Sequence, residues 1–188
     1  MTVIVDEEEL LAKEYIRAED VHQLSHPTRG FLCPRPRHDA AVRWSRYTVD
    51  HPQTGRVMLD TGERLFTSPY QSDPESWRQF KYVVPSHFLR LRSLKAAMYF
   101  TIGDAFVDDL RLIERVFYRR QLLMAFDFSF GSCRPFTTKR CALDYTIPLL
   151  TDELIEEMKA SPFQTVCEGF FFCDDVLFMH AKSSFKFI

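Results

Sequence analysis

The chain has 188 residues, enough for one domain with a closed core and short for two. Its 24 basic and 26 acidic residues leave a formal charge of -2, so no overall field favours nucleic acid or an anionic membrane. The 18 Phe, 7 Tyr and 2 Trp stand against only 6 Gly, a composition that excludes collagen-like and low-complexity chains and suits a sandwich core or the wall of an apolar cavity.

Residues 6–25 read as helix in one or two pieces, with a stripe of Leu10, Leu11, Tyr15 and Ala18 followed by Val21 and Leu24, and acids concentrated early. The three prolines of residues 26–39 make a loop or extended arm. The division expected is a helix and Pro-rich arm over 1–39 and a β-sandwich domain over 40–188. His22 and His26 stand at i, i+4 but lack the Glu of a metalloprotease helix, and Pro27 follows directly, so no metal site is expected there.

Period-two patterning begins near residue 42, where Val42 and Trp44 alternate against Arg43, Ser45 and Tyr47. Residues 51–55 read as a turn, RVML as a short strand, and 60–78 as a long polar loop. QFKYVV then puts Phe80, Tyr82 and Val84 on one face, and KAAMYFTIGD puts Ala96, Met98, Phe100 and Ile102 on one face before a Gly-Asp turn. The basic cluster Arg90, Arg92 and Lys95 reads as a solvated strand face rather than a membrane patch.

LRLIERVFYRRQLLMAFDFSF, residues 110–130, sets Leu110, Leu112, Glu114, Val116 and Tyr118 on one face. A helix is the rival reading, but Phe126, Phe128 and Phe130 alternate strictly with Asp127, Ser129 and Gly131, which argues for two strands joined near Arg119 to Gln121. Glu114 then points with the apolar set. TDELIEEMKA, residues 151–160, is a helix with Thr151 as cap, Leu150 stapling onto Ile155 and Ser161-Pro162 as its stop. GFFFC and VLFMH are strands around an Asp174-Asp175 turn. Seven or more strands with one inserted helix indicate an all-β, antiparallel β-sandwich.

The acidic start MTVIVDEEELL lacks the basic residues and apolar run of a secretory signal, and no stretch has the length of a membrane span, so a cytoplasmic chain is expected. Thr at position 2 and the ending KFI fit neither a myristoylation start nor a prenylation box, and without Asn there is no N-glycosylation site. Five cysteines with no C-x-x-C pair read as reduced thiols. Gly-rich phosphate loops and nucleophile elbows are missing, and S-x-x-K at 183–186 lacks its partner motifs. A binding protein without cofactor is expected, not an enzyme.

FLRLR, FTIGD, LRLIERVFYRRQLL, FDFSFGSC, TDELIEEM, SPFQT and FFFCDDVLFMH, with GFLCP and RYTVDHPQTGRVML upstream, carry a co-linear likeness. The chain resembles the uncoordinated (unc-one-nineteen) lipid-binding chaperones, the myristoyl-binding branch of the phosphodiesterase delta-subunit family. That resemblance implies an immunoglobulin-like sandwich whose sheets splay around an acyl chain. It also implies a monomeric shuttle with only transient membrane contact, carrying N-myristoylated cargo through cytosol, often to a cilium or flagellum, with release by a GTP-bound Arf-like GTPase.

Carried onto this chain, Tyr82 and Glu114 match the polar pair at the acylated glycine, and Phe88, Phe126 and Tyr145 match pocket-wall aromatics. Tyr47 and Ile147 stand where family members commonly have Phe, Phe171 where they have Tyr, and Val116 where they have His. The expected wall is completed by Phe100, Leu112 and Phe128. Two alternatives stand beside this reading: a prenyl-binding factor of the delta-subunit type, and a sandwich with a filled core that binds partners by strand edges or loops.

Overall fold

The computed structural model describes residues 7–33, 42–62 and 78–188. Two five-residue helices, α1 (Glu7–Leu11) and α2 (Ala18–His22), realise the N-terminal helix in two pieces. Among the described residues nine strands follow: β1 (Val42–Asp50), β2 (Val57–Asp60), β3 (Gln79–Val84), β4 (Ser93–Ile102), β5 (Val107–Tyr118), β6 (Gln121–Cys133), β7 (Thr138–Thr146), β8 (Thr165–Cys173) and β9 (Val176–Phe187). A 3-10 turn, Ser86–Arg90, links β3 to β4, and α3 (Asp152–Ala160) links β7 to β8. Most of the expected 60–78 loop and residues 34–39 of the arm lie outside the described residues.

The strands form a four-stranded sheet in the order β2-β1-β4-β7 and a five-stranded sheet in the order β3-β9-β8-β5-β6. Among the described residues every pairing is antiparallel except one: β3 runs parallel to β9, with Tyr82 opposite Phe185. The main core lies between the sheets, with Phe100, Leu110, Leu112 and Leu143 sealed within it.

Local chemistry explains the corners. The β5–β6 turn holds Arg119 at φ 54, a position where Gly or Asn would be easier. The Arg119 amide donates to the Gln164 carbonyl at 2.9 Å, so a tertiary bond supports the strained residue. At the β8–β9 turn both Asp174 and Asp175 have positive φ, as a type I′ turn requires, and both carboxylates are used. Asp174 accepts from the amides of Asp108 and Asp109, and Asp175 accepts from the Ala18 amide and the Arg17 guanidinium. Thr151 caps α3 by accepting from the Leu154 amide, and Leu150 and Ile155 share one cluster, as the staple requires.

The described N-terminal residues, 7–33, pack on the sandwich. Leu10, Ile16, Val21, Leu24 and Leu32 pack against Ile113, Phe170, Phe172 and Leu177 on the outer face of the five-stranded sheet. A polar seam fastens this arm. The Thr28 amide and hydroxyl both donate to the fully buried Glu168, which also meets Lys182 at 3.0 Å and has His180 Nε2 3.8 Å away. The Leu32 amide donates to Nδ1 of the fully buried His180, the Arg78 guanidinium donates to the Cys33 carbonyl, and it also stacks 3.8 Å over Phe31. Burial raises the Glu168 carboxyl, which Lys182 and Thr28 partly offset; burial also holds His180 well below the usual imidazole range.

Candidate functional site

An apolar cavity of about 220 Å³ lies between the sheets, at the end where β5 finishes and β8 begins. Strands β1, β4 and β7 supply one wall with Tyr47, Met98 and Tyr145, and β5, β6 and β8 supply the other with Glu114, Phe126 and Phe171. β3 and β9 extend that second wall through Tyr82 and Phe185, while Phe88 of the 3-10 turn and Met158 of α3 close over one end.

Glu114 is the only charged residue among the described residues that line the cavity. Register explains its setting: it lies opposite Phe126 on β6 and Gly169 on β8. Only 8% of it is exposed, and no Lys, Arg or His among the described residues lines the cavity to pair with it. Burial raises its carboxyl to about 7, with the nearby Tyr145 hydroxyl pulling it partly down. That hydroxyl, itself buried, is not aligned on any partner for a full hydrogen bond. Burial and then the charge of Glu114 push the phenols of Tyr47 and Tyr145 and the thiol of Cys167 well above their ordinary values. At neutral pH all three therefore keep their protons and can donate.

Of the expected site residues, Tyr47, Tyr82, Phe88, Glu114, Phe126, Tyr145, Ile147 and Phe171 line the cavity. Phe100, Leu112 and Phe128 do not. Phe100 and Leu112 are fully enclosed in the core, with Phe100 edge-on to Phe171 at 6.0 Å. Phe128 stands behind Tyr145, 5.2 Å away and edge-on, stacked in a ladder with Phe126 and Phe130. These three support the wall from behind, because the cavity occupies one end of the sandwich and they lie toward the other.

Tyr47 reaches the cavity for a reason that simple alternation hides. A bulge between Trp44 and Arg46 shifts the register, so Trp44 pairs with Phe100 and Tyr47 with Met98, and both line the cavity together with Val49. Without the extra residue Tyr47 would face outward with Arg43 and Ser45. Tyr82 is on β3, three strand positions from β5, or about 14 Å along the sheet. The hydroxyl beside Glu114 is thus that of Tyr145, while the Tyr47 phenol feels both Glu114 and Tyr82.

Sequence reasoning missed Cys167, Gly169 and Phe185, which also line the cavity. The run Ser183, Phe185, Phe187 against Ser184 and Lys186 carries a period-two signal that extends β9 well beyond His180. Gly169 leaves room beside Glu114: a Cβ there would meet the Phe171 ring at 3.3 Å and Leu112 at 3.7 Å.

Residues 41–187 match the family model described as GMP-PDE, delta subunit. The chain is 32% identical to Protein unc-119 homolog B of Homo sapiens over 191 residues, covering 97% of this chain and 76% of that protein. It is similarly 33% identical to Protein unc-119 homolog B-A of Xenopus laevis over 187 residues, covering 96% and 77%. To Protein unc-119 of Caenorhabditis elegans it is 32% identical over 186 residues, covering 98% and 85%.

Proposed function

The chain belongs to the GMP phosphodiesterase delta-subunit family, whose unc-119 and delta-like members are lipid-binding carriers rather than enzymes, and from that premise we propose that it carries proteins by an N-myristoylated glycine end. The observation behind this reading is one ion-unpaired carboxylate held among apolar side chains and hydroxyls. The acyl chain would fill the apolar space, Glu114 would accept from the first amide N–H groups of the cargo, and Tyr82 or Tyr145 would donate to the acyl carbonyl.

Burying a methylene contributes about 0.8 kcal/mol, so a myristoyl chain of roughly a dozen methylenes offers on the order of 10 kcal/mol before ordering costs. A single myristoyl holds a protein only marginally on a bilayer, so a soluble cavity can compete for it. The exchange is then nearly balanced, and a GTP-bound Arf-like GTPase that shifts it by a few kcal/mol would release cargo, in the cytoplasm or at a cilium or flagellum.

Titration with a myristoyl-glycine peptide, its unacylated twin and a farnesylated C-terminal peptide tests the reading. The myristoyl peptide is expected to bind far more tightly than the other two. Equal affinity for the unacylated twin would refute lipid recognition, and a preference for farnesyl would assign the prenyl-binding behaviour instead.

A further inference from the structure

The ligand chemistry around Glu114 is wider than an acyl amide requires. An amide N–H suits the ionised carboxylate, yet the residues around the carboxylate are mostly donors. Tyr47 from β1, Tyr145 from β7 and Cys167 from β8 face it, all protonated at neutral pH, and Tyr82 from β3 is the remaining titratable group of the lining beside Glu114 itself among the described residues. From β4, β6 and β9 the cavity receives apolar or hydroxyl side chains and no charge. The Tyr145 hydroxyl is more than nine-tenths buried and lacks an aligned acceptor, a costly arrangement unless a ligand supplies one.

A head group rich in acceptor oxygens would satisfy these donors. An isolated carboxylate could not sit beside an ionised Glu114 without a cation, and none lines the cavity among the described residues. Two carboxyl groups that share one proton escape that repulsion, since the protonated one donates to the other in a charge-assisted hydrogen bond. We propose that the cavity also takes unesterified long-chain fatty acids, with the acid and Glu114 sharing a single proton while the Tyr47 and Tyr145 hydroxyls donate to the remaining oxygens. This rests on reading the cavity as an acyl site, and it names a second ligand class for it.

The two classes depend on pH in opposite directions. A fatty acid is ionised in water near neutrality, so above the Glu114 transition near 7 its binding must take up a proton from solution. Each further pH unit then weakens it up to tenfold. An acyl-amide ligand uses the ionised carboxylate and weakens below that transition instead.

The experiment measures dodecanoic acid and dodecanol by displacement of a fluorescent acyl ester from the full chain at pH 6.5, 7.5 and 8.5. The acid is expected to lose about tenfold in affinity from pH 7.5 to 8.5, while dodecanol stays level. In Glu114→Gln the loss should vanish, with dodecanol binding and the thermal melt reporting that the variant is folded. A level profile for the acid, the same loss in Glu114→Gln, or no binding of the acid where dodecanol binds would overturn the inference. Failure of both ligands to bind would instead overturn the acyl-site reading beneath it.

Discussion

Replacing Glu114 by Gln should stabilise the empty protein, and by an amount that depends on pH. The folded-state carboxyl titrates at about 7 against an ordinary value of 4.5, because burial disfavours the charge. Between those values the folded state binds the proton that the unfolded state has lost, so stability falls as pH rises from 4.5 to 7 and then levels off. The 2.5-unit difference corresponds to about 3 kcal/mol of destabilisation at pH 8. Gln keeps the shape without the charge and should recover much of that, less what its amide loses by unmade hydrogen bonds. For a chain of this size the ceiling is roughly 6–12 °C in Tm at pH 8, with little difference near pH 5. Thermal and urea unfolding at both pH values measure it. A stability gain of the same size at both, or a wild type that is the more stable at pH 8, would refute the claim that an ionised carboxylate is held in the cavity at a cost.

Gly169→Ala should crowd the space beside Glu114 and weaken binding of a fluorescent acyl probe severalfold while far-UV circular dichroism stays native, since its Cβ needs the Phe171 ring of the cavity wall to give by only a few tenths of an ångström. Phe100→Ala should behave differently, lowering stability by about 3–5 kcal/mol in urea unfolding because the ring is sealed in the core. Glu168→Ala removes the countercharge of Lys182 and the acceptor of the Thr28 amide, while Lys182 keeps the Thr28 carbonyl and the Thr28 hydroxyl keeps that of Gly30, so about 2 kcal/mol of destabilisation is expected, with faster amide exchange over residues 26–33. The imidazole of His180 is held neutral, so its contribution to the same seam is present above the ordinary histidine range and is lost as pH falls through the lowered folded value; the raised carboxyl of Glu168 acts in the opposite sense, so acid should loosen the arm more in Glu168→Gln than in the wild type. Exchange rates over the arm, followed from pH 7 to 4, check this.

Strand parity and turn chemistry were legible where one face meets the core and the other meets water. The Phe126, Phe128, Phe130 ladder and the Thr151 cap follow from residue type and spacing alone. Glu114 was legible as an inward acid because β5 alternates without interruption through it. Tyr47 was not legible from period, since the bulge after Trp44 reverses parity and its sequence has no Gly to mark it. Alternation also cannot separate cavity from core. Phe100 and Met98 share a face of one strand, and only their distance along it decides that Met98 meets the cavity and Phe100 does not. Nor does local sequence announce the parallel pairing of β3 with β9, which joins segments about a hundred residues apart and depends on the whole topology.

The arm makes the two walls of the cavity unequal. Behind the five-stranded sheet lies a second layer of packed side chains and a buried polar seam, whereas the outer face of β7, with Thr138, Arg140, Ala142, Asp144 and Thr146, is exposed along its whole length. Sheets yield first where fewer contacts hold them. A longer or bulkier lipid therefore gains room chiefly by outward bending of the β7 edge of the four-stranded sheet, and the backed sheet serves as a fixed anvil that keeps Glu114 in register whatever the chain length above it.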